Sequence, residues 1–233
     1  MSEAWDAETF LARLRDEGGP RYHDRHPFHV RMHEGRLTPG ELRAWVENRY
    51  YYQTRIPLKD ALILSKAEDP AFRRRWIRRI HEQDGTEDGT GGIADWERLA
   101  QGLGVDLRAL RSFSRVLPAV RFACDAYVAL VRESPLVVAV AASLTELFSP
   151  ALMAARLAAW ERHYPWVDRA ALAYFRTRIE RAKVDSDEAI SFVLAHATTR
   201  ELQERCVDAL VRKAEILWAI LDAIERAPRE EER

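Results

Sequence analysis

Arg49 and Gln53 stand four residues apart in the stripe Leu42, Trp45, Val46, Arg49, Gln53, Ile56, the side of a helix that should be apolar. The same intrusion recurs down the chain. Arg79 and Gln83 follow Phe72 and Trp76, and Glu146, Met153 and Arg156 follow Ala139 and Ala142. Tyr174 and Arg178 flank Phe175, Tyr127 falls between Ala123 and Leu130, and Lys213 falls between Leu210 and Leu217. Burying a charge or an amide without a partner costs roughly several kcal/mol. A single buried arginine has an ordinary explanation, an ion pair with Glu146. Arg49, Arg79, Arg156, Arg178 and Lys213 set against that one carboxylate leave a positive excess. Buried cations in excess point to a cavity that takes a small polyanion such as a polycarboxylate.

Histidines and cysteines add little metal or thiol chemistry. His23, His26, His29 and His33 cluster, and His29 with His33 has helical ligand spacing. Carboxylate-bridged metal bundles need paired Glu-x-x-His motifs, and none of the seven histidines has a glutamate three residues before it. No cysteine pair supports zinc, so no metal is expected. Cys124 and Cys206 fall within helical patterns and read as small core residues.

Long helices must carry these groups. Ten glycines and ten prolines in 233 residues are sparse punctuation. The patterning predicts helices near 7–17, 24–34, 39–66, 70–83, 93–103, 117–133, 136–162, 167–183, 186–195 and 199–226. Thr38-Pro39 and Asp69-Pro70 are helix starts, and Thr198 with Glu201 spells a capping box. Pro57 and Pro150 should kink or break their helices. The segment 85–92, with four glycines, should be a loop; it follows a helix and carries Glu87 and Asp88, so a lid or a plain connection fits it better than a phosphate cradle. No linker divides the chain, so residues 1–233 are expected to form one helical domain, with disorder confined to about 1–6 and 227–233. Glu230, Glu231 and Glu232 read as a solvated acidic end. A net charge of −1 gives no basic field for nucleic acid, and no run of 18 apolar residues marks a membrane helix. The N-terminus lacks an apolar signal core, so a cytosolic location is expected.

Several blocks together resemble the pyrroloquinoline quinone synthase family. They are Tyr22-His23 with His26-Pro27-Phe28-His29, Arg49 to Gln53 with Ile56 to Asp60, Asp84-Gly85 with Gly91-Gly92-Ile93, Arg121-Phe122 with Asp125-Ala126-Tyr127, Ser143 to Phe148, and His163 to Trp166. The match is collinear over roughly 8 to 226. The resemblance implies an all-α, haem-oxygenase-like bundle of about seven main helices around a central cavity, assembled as a homodimer. It also implies an activity: ring closure and eight-electron oxidation of a bicyclic, carboxylate-rich precursor. Molecular oxygen is the co-substrate, hydrogen peroxide is released, and no metal or organic redox cofactor takes part. By position, Arg49, Lys59, Arg79, Arg156 and Lys213 would hold carboxylates and quinone oxygens. Tyr22, His23, Gln53, Tyr127, Glu146 and Met153 would complete the lining, with Tyr174 and Arg178 beside reduced oxygen.

Two positions depart from the family pattern. Where the family carries a histidine just before the Asp-Gly pair, this chain has Gln83, and where a second histidine is expected it has Met153. Glutamine donates and accepts hydrogen bonds but does not exchange a proton near neutrality. His81 lies about 200° round the helix from residue 83 and should point away. Two other readings stay open: a slow or non-catalytic binder of the quinone or its precursor, and a thiaminase-like enzyme of the same fold, which would need a cysteine nucleophile.

Overall fold

Side-chain caps and prolines fix most of the helix starts. The structure, a computed structural model, describes residues 3–228, with only the backbone over 180–185. Asp6 accepts from Thr9 N at the start of α1 (Ala7–Gly18). His26 accepts from Phe28 N at the start of α2 (Pro27–His33). Thr38 and Glu41 form a full capping box on α3 (Pro39–Lys66). Asp69 caps α4 (Pro70–Asp84), followed by α5 (Gly91–Gly102) and the short α6 (Leu107–Arg111). Then come α7 (Pro118–Glu133), α8 (Leu136–Ala141), α9 (Ser149–His163), α10 (Ala173–His196) and α11 (Arg200–Arg226). Among the described residues no strand occurs, and the all-α expectation stands.

The differences from the sequence reading have local causes. The helix expected over 136–162 is broken: α8 ends at Ala141, a 3-10 turn spans Leu144–Phe148, and α9 starts at Ser149. Pro150 would clash with the carbonyl four residues back, so it sits in a first turn instead of an interior. Pro57, by contrast, lies within an unbroken α3. The 24–34 helix splits into a 3-10 turn, His23–Arg25, and α2, while 167–183 and 186–195 merge into α10 after a turn at Arg169–Leu172. Thr199, not Thr198, caps α11 and accepts from Leu202 N, so the predicted capping box does not form. Trp5 is anchored to α11: its N donates to Gln203 Oε1 at 2.8 Å and Gln203 Nε2 donates to Trp5 O at 2.9 Å. The acidic end at Glu230 to Glu232 lies outside the described residues.

Two apolar clusters fill the interior. One gathers Trp45, Trp96, Trp160 and Phe175; the other gathers Phe72, Trp76, Tyr127, Val131 and α8. Tyr52, Phe148 and Ile216 pack against both. By length and composition Leu136–His163 is apolar enough to cross a membrane, yet most of it is buried inside the fold and residues 142–148 interrupt it. It is core, and the polar groups of the interruption face a cavity.

Candidate active site

That cavity lies where the two clusters meet, and it holds about 80 Å³. Arg49, Tyr52 and Lys59 reach it from α3, Arg79 and Gln83 from α4, Tyr127 from α7, and Tyr174 and Arg178 from α10. Ser143 and Glu146 enter from the break between α8 and α9, Met153 from α9, and Tyr22 and His23 from the turn before α2. Three predicted residues stand behind this wall. Gln53 bonds Gln83 and Tyr174, Lys213 Nζ donates to Tyr52 Oη at 2.8 Å, and Arg156 packs on Met153. Sequence reasoning missed Tyr52, Asp60 and Ser143. Tyr52 follows Arg49 by about one turn, which was the available signal.

Among the described residues, four basic side chains, Arg49, Lys59, Arg79 and Arg178, and two carboxylates, Asp60 and Glu146, face the space. Lys59 and Arg79 each have a carboxylate partner. Lys59 Nζ lies 2.7 Å from Asp60 Oδ1 and donates to Ser143 Oγ at 2.8 Å. Arg79 Nη1 donates to both Glu146 oxygens at 2.9 and 2.7 Å. Arg49 is different: it is buried, among the described residues no acceptor reaches its Nε or Nη1, and its guanidinium lies 4.2 Å from the Tyr52 ring centre. The positive excess has consequences. Burial first, then Arg49, Arg156 and Lys213, hold the His23 imidazole neutral well below its usual range. Burial and Arg49 likewise push the Lys213 ammonium far down. Burial raises the Tyr22 hydroxyl to about 12 despite Arg156 and Arg49 nearby.

Pro57 has a use here. It lacks the N–H that would bond the Gln53 carbonyl four residues back. That carbonyl instead accepts from Gln83 Nε2 at 3.3 Å, and Gln53 Oε1 accepts from Gln83 Nε2 at 3.1 Å and from Tyr174 Oη at 2.9 Å. Gln83 is thus clamped, amide to amide, with its donor committed. The glycine-rich loop completes the clamp. Gly85 and Gly91 have positive φ, and a Cβ on Gly92 would sit 2.7 Å from Gln83 Oε1. The loop is a connection, closed by Thr90 Oγ1 donating to Glu87 O at 2.7 Å, that lets α5 press on Gln83.

Within the histidine cluster, His29 is already engaged. His29 Nδ1 is 2.8 Å from His23 O and its Nε2 is 3.1 Å from Arg156 Nη2, which uses both ring nitrogens. The cysteines are buried, and burial pushes both thiols up to about 12. Neither should react with a disulfide reagent at pH 8 while the protein is folded, and both should react after denaturation. Stoichiometric labelling of the native protein would contradict this and revive a thiol nucleophile.

This fold and cavity have relatives. Residues 11–223 match the TENA/THI-4/PQQC family, and the chain belongs to that family. It is 50% identical over 227 residues to a pyrroloquinoline-quinone synthase from Rhizobium meliloti (strain 1021), covering 97% of this chain and 89% of that one. Against a pyrroloquinoline-quinone synthase from Gluconobacter oxydans (strain 621H) the identity is 47% over 216 residues, 93% and 90% of the two chains. Among solved structures, a TenA homologue from Pseudomonas syringae pv. tomato superposes with a TM-score of 0.78 at 15% identity, covering 97% and 98% of the chains. A domain with a haem-oxygenase-like fold from Shewanella denitrificans also gives 0.78, at 14% identity over 95% and 93%. These two likenesses establish the haem-oxygenase-like architecture.

Proposed function

We propose that this protein is an enzyme of pyrroloquinoline quinone biosynthesis that closes a ring in a carboxylate-rich bicyclic precursor and oxidises it with molecular oxygen, releasing hydrogen peroxide. The observation that carries the reading is Arg49, a buried guanidinium facing a cationic cavity with two nitrogens that no acceptor among the described residues reaches. A ligand carboxylate supplies the missing partner in the planar, two-point manner that suits arginine. The relatives bearing the synthase name support the place in pyrroloquinoline quinone biosynthesis. In this reading no metal or organic redox cofactor takes part, the electrons come from the substrate, and the enzyme works as a cytosolic homodimer. Arg49, Lys59, Arg79 and Arg178 bind and orient carboxylates. Arg178, one turn from Tyr174, stabilises negative charge as oxygen is reduced. At about 80 Å³ the cavity must widen for a bicyclic ligand. Arg49, which packs on the Tyr52 face with no ion pair among the described residues, is a side chain that can swing to admit it.

Gln83 favours a second reading, a slow enzyme or a non-catalytic binder. Its amide is locked to Gln53 and has no proton to exchange. The test is to mix metal-free protein with the biosynthetic precursor in air, following oxygen uptake and quinone absorbance, with Gln83→His alongside. Placing an acid–base group there should accelerate the oxidative steps by about 10²-fold, the lower end of general acid–base contributions. Full turnover by the parent at the rate of the variant would show that residue 83 is not the proton-transfer site. No turnover and no quinone binding by either protein would defeat the synthase reading.

A further inference from the structure

Arg156 is only 1% exposed, yet among the described residues no carboxylate pairs with it. Its Nη2 meets His29 Nε2 at 3.1 Å and its Nη1 meets Met153 Sδ at 3.8 Å. Its guanidinium carbon lies 5.0 Å from the Trp45 ring centre and 5.8 Å from that of Phe175, and no acceptor among the described residues reaches its Nε. The partner that matters is His29, itself fully buried. His29 Nδ1 lies 2.8 Å from the His23 carbonyl oxygen, which only accepts. The proton therefore belongs on Nδ1, and Nε2 presents a lone pair to the Arg156 N–H. The tautomer follows from the network of bonds. Burial, then Arg156, keeps this imidazole neutral. A neutral acceptor satisfies a guanidinium donor without cancelling its charge. A carboxylate here would hold Arg156 as firmly and would neutralise it.

We propose that His29 is a positioning residue: it fixes Arg156 by a charge-neutral hydrogen bond, so that the full positive charge of Arg156 acts through the Tyr22, His23 and Met153 wall on an anionic ligand in the cavity. This rests on the reading that the cavity takes a polycarboxylate. Met153 lies both on the cavity and against Arg156, and His23 supplies both a wall side chain and the carbonyl that orients His29. The His29–His23–Arg156 group is therefore one unit joining the wall to the cation behind it.

Two variants of equal length separate the roles. His29→Gln keeps a neutral acceptor near the old Nε2, and His29→Glu puts a carboxylate there. Melting temperature without ligand and affinity for pyrroloquinoline quinone are measured for both. His29→Gln should bind within about threefold of the parent. His29→Glu should bind at least about tenfold more weakly, roughly one charge-assisted contact, and should melt above His29→Gln because it compensates a buried cation. A purely structural histidine would make both variants bind alike, and that result, or His29→Glu melting below His29→Gln, overturns the proposal. If the parent binds no quinone, the polycarboxylate reading falls, and the melting order alone decides whether His29 holds an uncompensated arginine. Arg156→Met covers variants that fail to fold: it should melt above the parent, and melting below it overturns the proposal.

Discussion

Arg49→Met is expected to abolish tight binding of pyrroloquinoline quinone while leaving the fold intact or more stable. The two halves of this result have one cause. Arg49 is 6% exposed and its Nε and Nη1 meet no acceptor among the described residues, so its desolvation is only partly offset by the Tyr52 face. Removing such a charge relieves the folded state. In a complex with a polycarboxylate the same nitrogens form charge-assisted bonds worth about 1.5–3 kcal/mol each. Losing two of them lowers affinity on the order of 10²-fold or more. Calorimetric titration with the quinone and a thermal scan of parent and variant check both halves. Unchanged affinity, or a sharp fall in melting temperature, would show that Arg49 serves the fold and not a ligand.

The site was legible in the sequence wherever a polar group broke an apolar stripe. Arg49, Arg79, Gln83, Glu146 and Arg178 were found that way, and each reaches the cavity. The stripe argument ranks burial but not depth. Gln53, Arg156 and Lys213 are as buried as the lining residues, and only the packing shows them standing behind it. Ser143 escaped because it lies in the interruption after α8, in a segment whose apolar composition reads as uninterrupted helix. Asp60 escaped because it neighbours Lys59 in sequence, and adjacent helical residues do not normally share a face. Pro57 and Pro150 show the limit of residue type as a guide. Both deny a hydrogen bond to the carbonyl four residues back. At 150 the chain begins a new helix, whereas at 57 the spared carbonyl of Gln53 finds Gln83 on another helix and α3 runs on. Which outcome follows depends on a neighbour distant in sequence.

Glu146→Ala should act on the same cavity in the opposite sense, destabilising the protein strongly. Arg79 is 6% exposed, its guanidinium lies 4.1 Å from the Trp76 ring centre, and Nη1 bonds both oxygens of Glu146. Removing one partner of such a pair costs roughly 3–5 kcal/mol. The lower end applies, because the Glu146 side chain keeps 19% exposure to solvent. For a chain of this size that is a fall of roughly 6–12 °C in melting temperature. The pH dependence provides an independent check. Burial pushes the Glu146 carboxyl up, but Arg79, Lys59 and Arg178 together pull it below its usual value. A carboxyl depressed on folding contributes its stability above the unfolded pKa, about 4.3, and loses it as pH falls through the folded value. The gap between parent and variant should therefore be full at pH 6–7 and close progressively below about pH 4. A gap that widens on acidification would mean that Glu146 is protonated in the native state and donates to a neighbour instead of pairing with Arg79. Arg49 and Arg79 thus make opposed predictions from one cavity, because the fold supplies a carboxylate to one and leaves the other for a ligand.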